Sequence, residues 1–383
     1  MNTMTDETTR RVIDFTSRLF CAIAPCNGNF VMSPHSLATL LGVLVLGARG
    51  ATKLALLRAL SFAGDDSFHA LLSSAASTLN HGAGGVECLG DVSLWLEEGL
   101  RPLDEFRKVV EGLLPASFET ICMDADGMRR INEHVSRATR GLIPNILKDI
   151  PPPGSRLIAT SALYLKAKWM SPFPVDATTS YVFHAPDGKI KVPFMCNINA
   201  YPCCEVGGTV AVAIPYVDAD FEMQIFMPKT SAATAHLSNH VQFSKMLAEC
   251  RAALRAVAET DEEIDLRLPK FSVTSDHEMT EAVQALGAGA AFDPDADFSG
   301  LLQESEPVAF SSIVQSACVR VDEEGTEAAA ATAVCFDTGC PFERPKPRIV
   351  RINRPFVFIV HNRRTGLDLF AGRIENPSFE SPN

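Results

Sequence analysis

The 383-residue chain is 46% hydrophobic, with 23 phenylalanines, and its 34 basic and 46 acidic residues give a formal net charge of −12. This apolar content supports a sizeable core, while the acidic balance speaks against a nucleic-acid surface and against a heparin-type polyanion site. Eleven scattered cysteines, an odd number, form no CxxC pair and no Cys/His cluster at zinc spacing, so neither a metal nor a cofactor is expected.

From the start of the chain, MNTMTDETTRR shows no apolar stretch of a secretory signal. Val12, Phe15, Leu19, Ala22 and Ile23 instead follow helical spacing and predict an amphipathic first helix. Residues 37–47, LATLLGVLVLG, are too short and too soon followed by Arg49 and Lys53 to span a bilayer, so a buried helix is expected and no membrane partner. The turn GARGAT at 47–52 lacks the lysine and spacing of a nucleotide loop. His277 and Glu278, in SDHEMTEAV, read as the polar start of a helix. No Gly-x-Ser-x-Gly elbow, phosphate loop or His-Glu-x-x-His helix occurs, so the chain is not expected to be an enzyme. With no Gly/Ser linker, repeat or low-complexity boundary, residues 1–383 are expected to form one large domain. The absence of a signal, of a cysteine framework and of an Asn-x-Ser/Thr acceptor (Asn376-Pro377-Ser378 is disqualified by its proline) predicts a reducing, cytoplasmic setting.

Residues 323–334, EEGTEAAAATAV, carry the most information. A helix capped at Thr326, with Glu327 in its first turn, is one reading, because alanine is the best helix former. On a period of two, Thr326, Ala328, Ala330, Thr332, Val334 and Phe336 fall on one face, and Glu327, Ala329, Ala331, Ala333, Cys335 and Asp337 on the other. Such a segment can be loop in one state and strand in another, its small face sliding between two existing strands, with Gly325 as a backbone hinge. The basic run at 343–354, ERPKPRIVRINR, reads as a solvated strand edge kept unpaired by charge and proline.

Glu323, Glu324, Gly325, Thr326 and Glu327, followed by Ala328, Ala329, Ala330 and Ala331, resemble the reactive-loop hinge of inhibitory serpins, Glu-x-Gly-Thr-Glu and then small residues. The resemblance extends over nearly the whole chain in family order. It takes in residues 29–52 with a Ser-Pro-x-Ser turn, 130–147 as helix F and its exit, and 161–173 as the central strand ending in the breach tryptophan, Trp169. It closes with 295–301 and with the NRPFVFIV and LFAGRIENP blocks. It implies an α+β serpin fold with three β-sheets (A, B and C), eight or nine helices and an exposed reactive-centre loop at about 323–348. It also implies a mechanism in which a protease cleaves the loop, the hinge inserts as a new strand of sheet A, and the acylated enzyme is dragged away. A monomer that forms a covalent complex with its protease is expected.

Two counts place the attacked bond differently. Family loop length from Thr326 gives Gly339, before Cys340; counting back from residues 353–356 gives Arg344, before Pro345. Asp337, before Thr338, reads with Val334, Cys335 and Phe336 as an acidic recognition peptide of the kind caspases and granzyme B accept; Phe342 is a further alternative. The missing signal and the TEAAAAT hinge most resemble the poxvirus intracellular serpins of the cytokine response modifier type, implying a host protease as partner and suppression of apoptosis or inflammation. Cys335 and Cys340 bracket the Asp337 bond and could close a redox-sensitive ring. Ser33 and Ser36 match the family's shutter serines, but Ser161 stands where the family usually carries asparagine and Gln315 where it carries histidine. A Gln amide and a Ser hydroxyl can re-satisfy such a cluster.

Overall fold

Three sheets organise the chain in the computed structural model, which describes residues 6–24, 27–62, 72, 78, 82–83, 86–114, 116–258, 262–303, 308–326 and 347–379. Among these residues are seventeen strands, β1 to β17, and eight α-helices, α1 to α8, numbered in chain order. No helix among them is long and apolar enough to cross a membrane.

Helix α1 (Asp6–Ile23) buries Val12, Phe15 and Leu19 as the spacing predicts, while Ala22 is exposed and Ile23 only half-buried. Helix α2 (Pro34–Gly47) is capped by the Ser33 hydroxyl, which accepts from Ser36 N, and Pro34 fits its first turn, where no amide donor is needed. It is buried nearly all round, as a helix without a polar face must be. Helix α3 (Gly50–Ala59) follows directly.

Sheet A runs β12 (Phe271–Glu278), β13 (Ser312–Val321), β14 (Gly325–Thr326), β5 (Leu157–Lys168), β3 (Val86–Glu97) and β2 (Gly82–Ala83), with β4 (Ala116–Ile121) pairing along β3. Sheet B runs β1 (Phe30–Met32), β17 (Asp368–Ile374), β16 (Phe356–Asn362), β10 (Phe221–Pro228), β9 (Thr209–Pro215) and β8 (Cys203–Val206). Its central strands read as almost continuous apolar runs because both of their faces are covered. Sheet C runs β15 (Arg348–Arg351), β11 (Ile264–Pro269), β7 (Gly188–Asn199) and β6 (Thr179–Ala185). The basic run thus supplies β15 at a sheet edge, as its charge and prolines suggest.

Sheet A contains the feature that matters for function. Strands β13 and β5 pair directly, in parallel, from Ser312 opposite Ile158 to Ala317 opposite Leu163. Beyond that point they part, and β14 lies between them, Thr326 facing both Val321 and Ala167 and Gly325 facing Lys168. The seam between β13 and β5 is closed at one end and wedged open at the other by two residues.

Helix α4 (Asp104–Leu113) and α5 (Ala125–Ala138) flank sheet A; α6 (Ser231–Ala235) and α7 (His240–Val257) flank sheet B. Asp124 caps α5 through Asp126 N and Gly127 N, and Gly127 is required because a Cβ there would lie 1.9 Å from Cys122 O. A small apolar cluster of Trp95, Ile131, Val135, Ile143, Ile146, Leu147, Ile158, Ala162 and Val314 holds α5 and its exit segment on sheet A.

One expectation is corrected. His277 is not in a helix start: it is the penultimate residue of β12, opposite Gln315, with Nε2 2.7 Å from Val31 O. The last helix, α8 (Thr280–Val283), begins after it, with Glu278 accepting from Thr280 N at 3.2 Å. The pairing of 271–278 with the long strand β13 outweighs the capping pattern.

Candidate functional site

Residues 322–326 make a tight turn from β13 into β14. Asp322 N donates to Gly325 O at 3.0 Å, and Asp322 Oδ1 accepts from Glu324 N at 3.0 Å and Gly325 N at 3.3 Å. Thr326 is therefore strand, and the helix read from Glu327 through the alanines lies outside the described residues. The flanking strands offer Thr326 a ladder on both sides, β13 at Val321 and β5 at Ala167. Gly325 is needed for a reason other than hinge freedom: a Cβ there would lie 2.0 Å from Ala167 O and 2.8 Å from Lys168 Cα.

Thr326 is 1% exposed, and its Oγ1 lies 2.7 Å from the buried Tyr216 hydroxyl. The Tyr216 ring stacks on Trp169 with centroids 4.6 Å apart and planes 8° from parallel. Trp169 in turn holds the turn, its Nε1 donating to Asp322 O and its backbone N to Glu324 O, each at 2.9 Å. Glu323 accepts from Lys270 Nζ at 2.7 Å and Thr178 Oγ1 at 2.8 Å, and its carbonyl accepts from Phe173 N at 2.8 Å. Burial pushes the Glu323 carboxyl up, but Lys270 and Thr178 outweigh it and hold it below its ordinary value, keeping the ion pair charged.

At the closed end of the seam, Gln315 on β13 faces Ser161 on β5. Gln315 Oε1 accepts from Ser33 N at 2.9 Å, while its Nε2 donates to Ser33 O at 2.9 Å and Ser36 Oγ at 3.0 Å and reaches Ser161 Oγ at 3.4 Å. The Ser33 hydroxyl donates to Leu369 O at 2.7 Å, and the hydroxyls of Ser36 and Ser161 lie 3.4 Å apart. All four side chains are fully buried. The two changed residues thus form one satisfied cluster, with Gln315 supplying both donor and acceptor to α2 across the strand.

The structure brings Glu323, Glu324, Gly325 and Thr326 together with Trp169, and Ser33, Ser36, Ser161 and Gln315 with one another. Glu327, Ala328, Ala329, Ala330, Ala331, Cys335, Asp337, Thr338, Gly339, Cys340, Phe342 and Arg344 lie outside the described residues. Sequence reasoning missed Tyr216, Lys270 and Thr178, which come from three separate strands and linkers with no local motif to mark them.

The family model for serpins (serine protease inhibitors) matches residues 10–377. An uncharacterized serpin-like protein of Thermococcus kodakarensis is 32% identical over 372 residues, covering 95% of this chain and 84% of its own length. Serpin A3-1 of Bos taurus is 30% identical over 377 residues, covering 95% and 88%. Among solved structures, the thermophilic serpin Tengpin in the native state superposes with a TM-score of 0.84 at 24% identity, covering 98% of this chain and 95% of that one. Human thyroxine-binding globulin complexed with thyroxine gives 0.82 at 22% identity, covering 97% and 99%. The chain belongs to the serpin family and has the serpin fold, with sheets A, B and C.

Proposed function

We propose that this serpin is a suicide-substrate protease inhibitor that traps its target by inserting residues from Glu327 onward between β13 and β5. The observation that carries the reading is the two-residue strand β14, whose inward residue Thr326 already occupies the first rung of that gap. Each further rung adds backbone hydrogen bonds at ~0.5–1.5 kcal/mol net. About eleven residues would then add roughly the ~5–15 kcal/mol of a whole domain's stability. Every inward position from Ala328 to Val334 is small enough to enter without a buried charge.

The bond we assign is Asp337–Thr338, and the target class an acid-directed protease, a caspase or granzyme-like enzyme of the host cytoplasm, whose block suppresses cell death or inflammation. The acidic recognition peptide ending at Asp337 supports this. Incubation with caspases, granzyme B, trypsin and chymotrypsin, with sequencing of the new N-terminus, tests it. An SDS-stable complex with a fragment starting at Thr338 is expected. A fragment starting at Cys340, Glu343 or Pro345 would move the bond to Gly339, Phe342 or Arg344. Cleavage without any complex would remove the inhibitory reading.

A second reading, a non-inhibitory binding protein, is favoured by a cavity of about 440 Å³ beside α7 and sheet B, lined by Gln224, Arg251, Arg255, His361 and Arg363. Arg251 is already paired with Asp368 at 2.6 Å, so an anionic ligand would be met by Arg255 and Arg363, beside the carboxylates of Asp220 and Glu222 that also line the cavity. Titration with thyroxine, the ligand of the globulin above, tests this reading; no binding would count against it.

A further inference from the structure

Insertion of a strand into the seam moves β13 and β12 away from β5, β3 and β4 by about 4.8 Å. Anything that spans the seam must therefore yield. Helix α5 and the segment after it do span it.

On the near side the attachment is multiple. His134 Nε2 lies 2.9 Å from Asp91 Oδ1 on β3 and Nδ1 3.5 Å from Glu119 on β4, Arg130 lies 3.3 Å from Glu119, and Arg140 pairs with Glu87 on β3. Most of the apolar partners under α5, Trp95, Ile158 and Ala162, also belong to β3 and β5. On the far side, among the described residues, there is one apolar partner, Val314 of β13, and one ion pair, Lys148 Nζ to Asp276 Oδ2 of β12 at 3.0 Å. Asp276 is itself fixed by Ser316 Oγ, which donates to Oδ1 at 2.6 Å. Lys148 is held in place by its neighbour: Asn132 of α5 clasps Leu147 through Nδ2 to Leu147 O and Leu147 N to Oδ1, both 2.9 Å.

We infer that residues 139–148 are a strap across the seam, clasped to α5 at Asn132 and released at Lys148–Asp276, and that this ion pair limits how fast sheet A opens. The asymmetry decides which end lets go. Among the described residues the near side carries several ion pairs and most of the apolar contact, whereas the far side carries a single pair whose lysine is 68% exposed. When the seam widens, α5 travels with β3 and β5, and the bond to β12 breaks. Because that lysine is solvated, added salt weakens the bond and speeds opening. Lys148 and Asp276 are thus positioning residues that set the rate of insertion, and they touch neither the loop nor the protease.

The inference rests on the inhibitor reading, and one experiment separates the two. The loop is cleaved with a metalloprotease, which forms no acyl link, and insertion is followed by tryptophan fluorescence and by the heat resistance gained. Lys148→Glu should insert about three- to tenfold faster than the parent, since repulsion replaces attraction. The double variant Lys148→Glu with Asp276→Lys should return to within about twofold, which a merely structural role would not produce. The parent rate should rise with added salt and that of Lys148→Gln should not. Equal rates in all variants, with heat resistance gained, would overturn the strap and leave the inhibitor reading standing. No gain of heat resistance in any variant would overturn both.

Discussion

The hydroxyls of Thr326 and Tyr216 meet at 2.7 Å in the protein interior, so the inward residue of β14 is fastened inside sheet A. Tyr216 is itself held by its stack on Trp169, which ties Thr326 to the end of the flanking strand β5. Tyr216→Phe leaves the Thr326 hydroxyl unpaired at a cost of ~1 kcal/mol, so amide exchange at Thr326 should quicken about fivefold. Unchanged exchange would mean that the backbone ladder alone holds β14.

Thr326→Arg places an unpaired charge where the side chain is 1% exposed. Insertion should stall at that rung, and the protein should be cleaved as a substrate with no complex on an SDS gel. A persistent complex with this variant would contradict insertion along β14.

Gly325 approaches β5 too closely for any side chain. Gly325→Ala should therefore expel residues 325–326 from the sheet, adding cuts at 323–326 by a broad-specificity protease that the parent does not show there. Resistance equal to that of the parent would show that β5 can give way instead.

Much of this was legible beforehand. Ser33, Ser36, Trp169 and residues 323–326 lie in contiguous blocks, whereas the two-face reading of 327–336 falls outside the described residues. The wedge at β14 was not legible, because whether Thr326 is in or out depends on Tyr216 and Ala167, far away in sequence. The hinge pattern explained Gly325 by freedom of the backbone, whereas lack of room explains it in the folded chain. Nor could sequence place Asp91, Glu119 and His134 in one cluster, since they come from two strands and a helix joined only by topology.

The shutter gives a stability test. Removing the Gln315 amide leaves the buried Ser33 N without its acceptor, at ~1–3 kcal/mol, while Ser33 O keeps Leu37 N and the Ser36 and Ser161 hydroxyls keep each other. Gln315→Ala should lose ~1–3 kcal/mol by urea denaturation and convert faster on heating to a loop-inserted form. Full stability in this variant would contradict the bonding scheme.

Two histidines act with opposite signs on acid stability. His35 is 2% exposed with Nε2 unpartnered, and burial lowers its pKa to about 4. The unfolded chain binds that proton near 6.5 and the folded one near 4, so stability falls by up to ~3 kcal/mol as pH drops through that window. His134 is held above its ordinary value by its hydrogen bond to Asp91, with burial opposing and the charges of Asp91 and Glu119 adding. Its contribution is full below about 6.5 and is lost as pH rises through the raised value. His35→Leu should flatten the acid limb of the urea midpoint between pH 6.5 and 4, and His134→Gln the limb above 6.5; unaltered profiles would contradict these assignments.

The central claim is that the intact chain is metastable and that loop insertion into the β13–β5 seam stabilises it. Its most direct test is the melting temperature before and after cleavage within residues 327–346. With about eleven inserted residues the cleaved form should melt at least ~10 °C higher. A cleaved form melting at or below the intact protein would contradict the account.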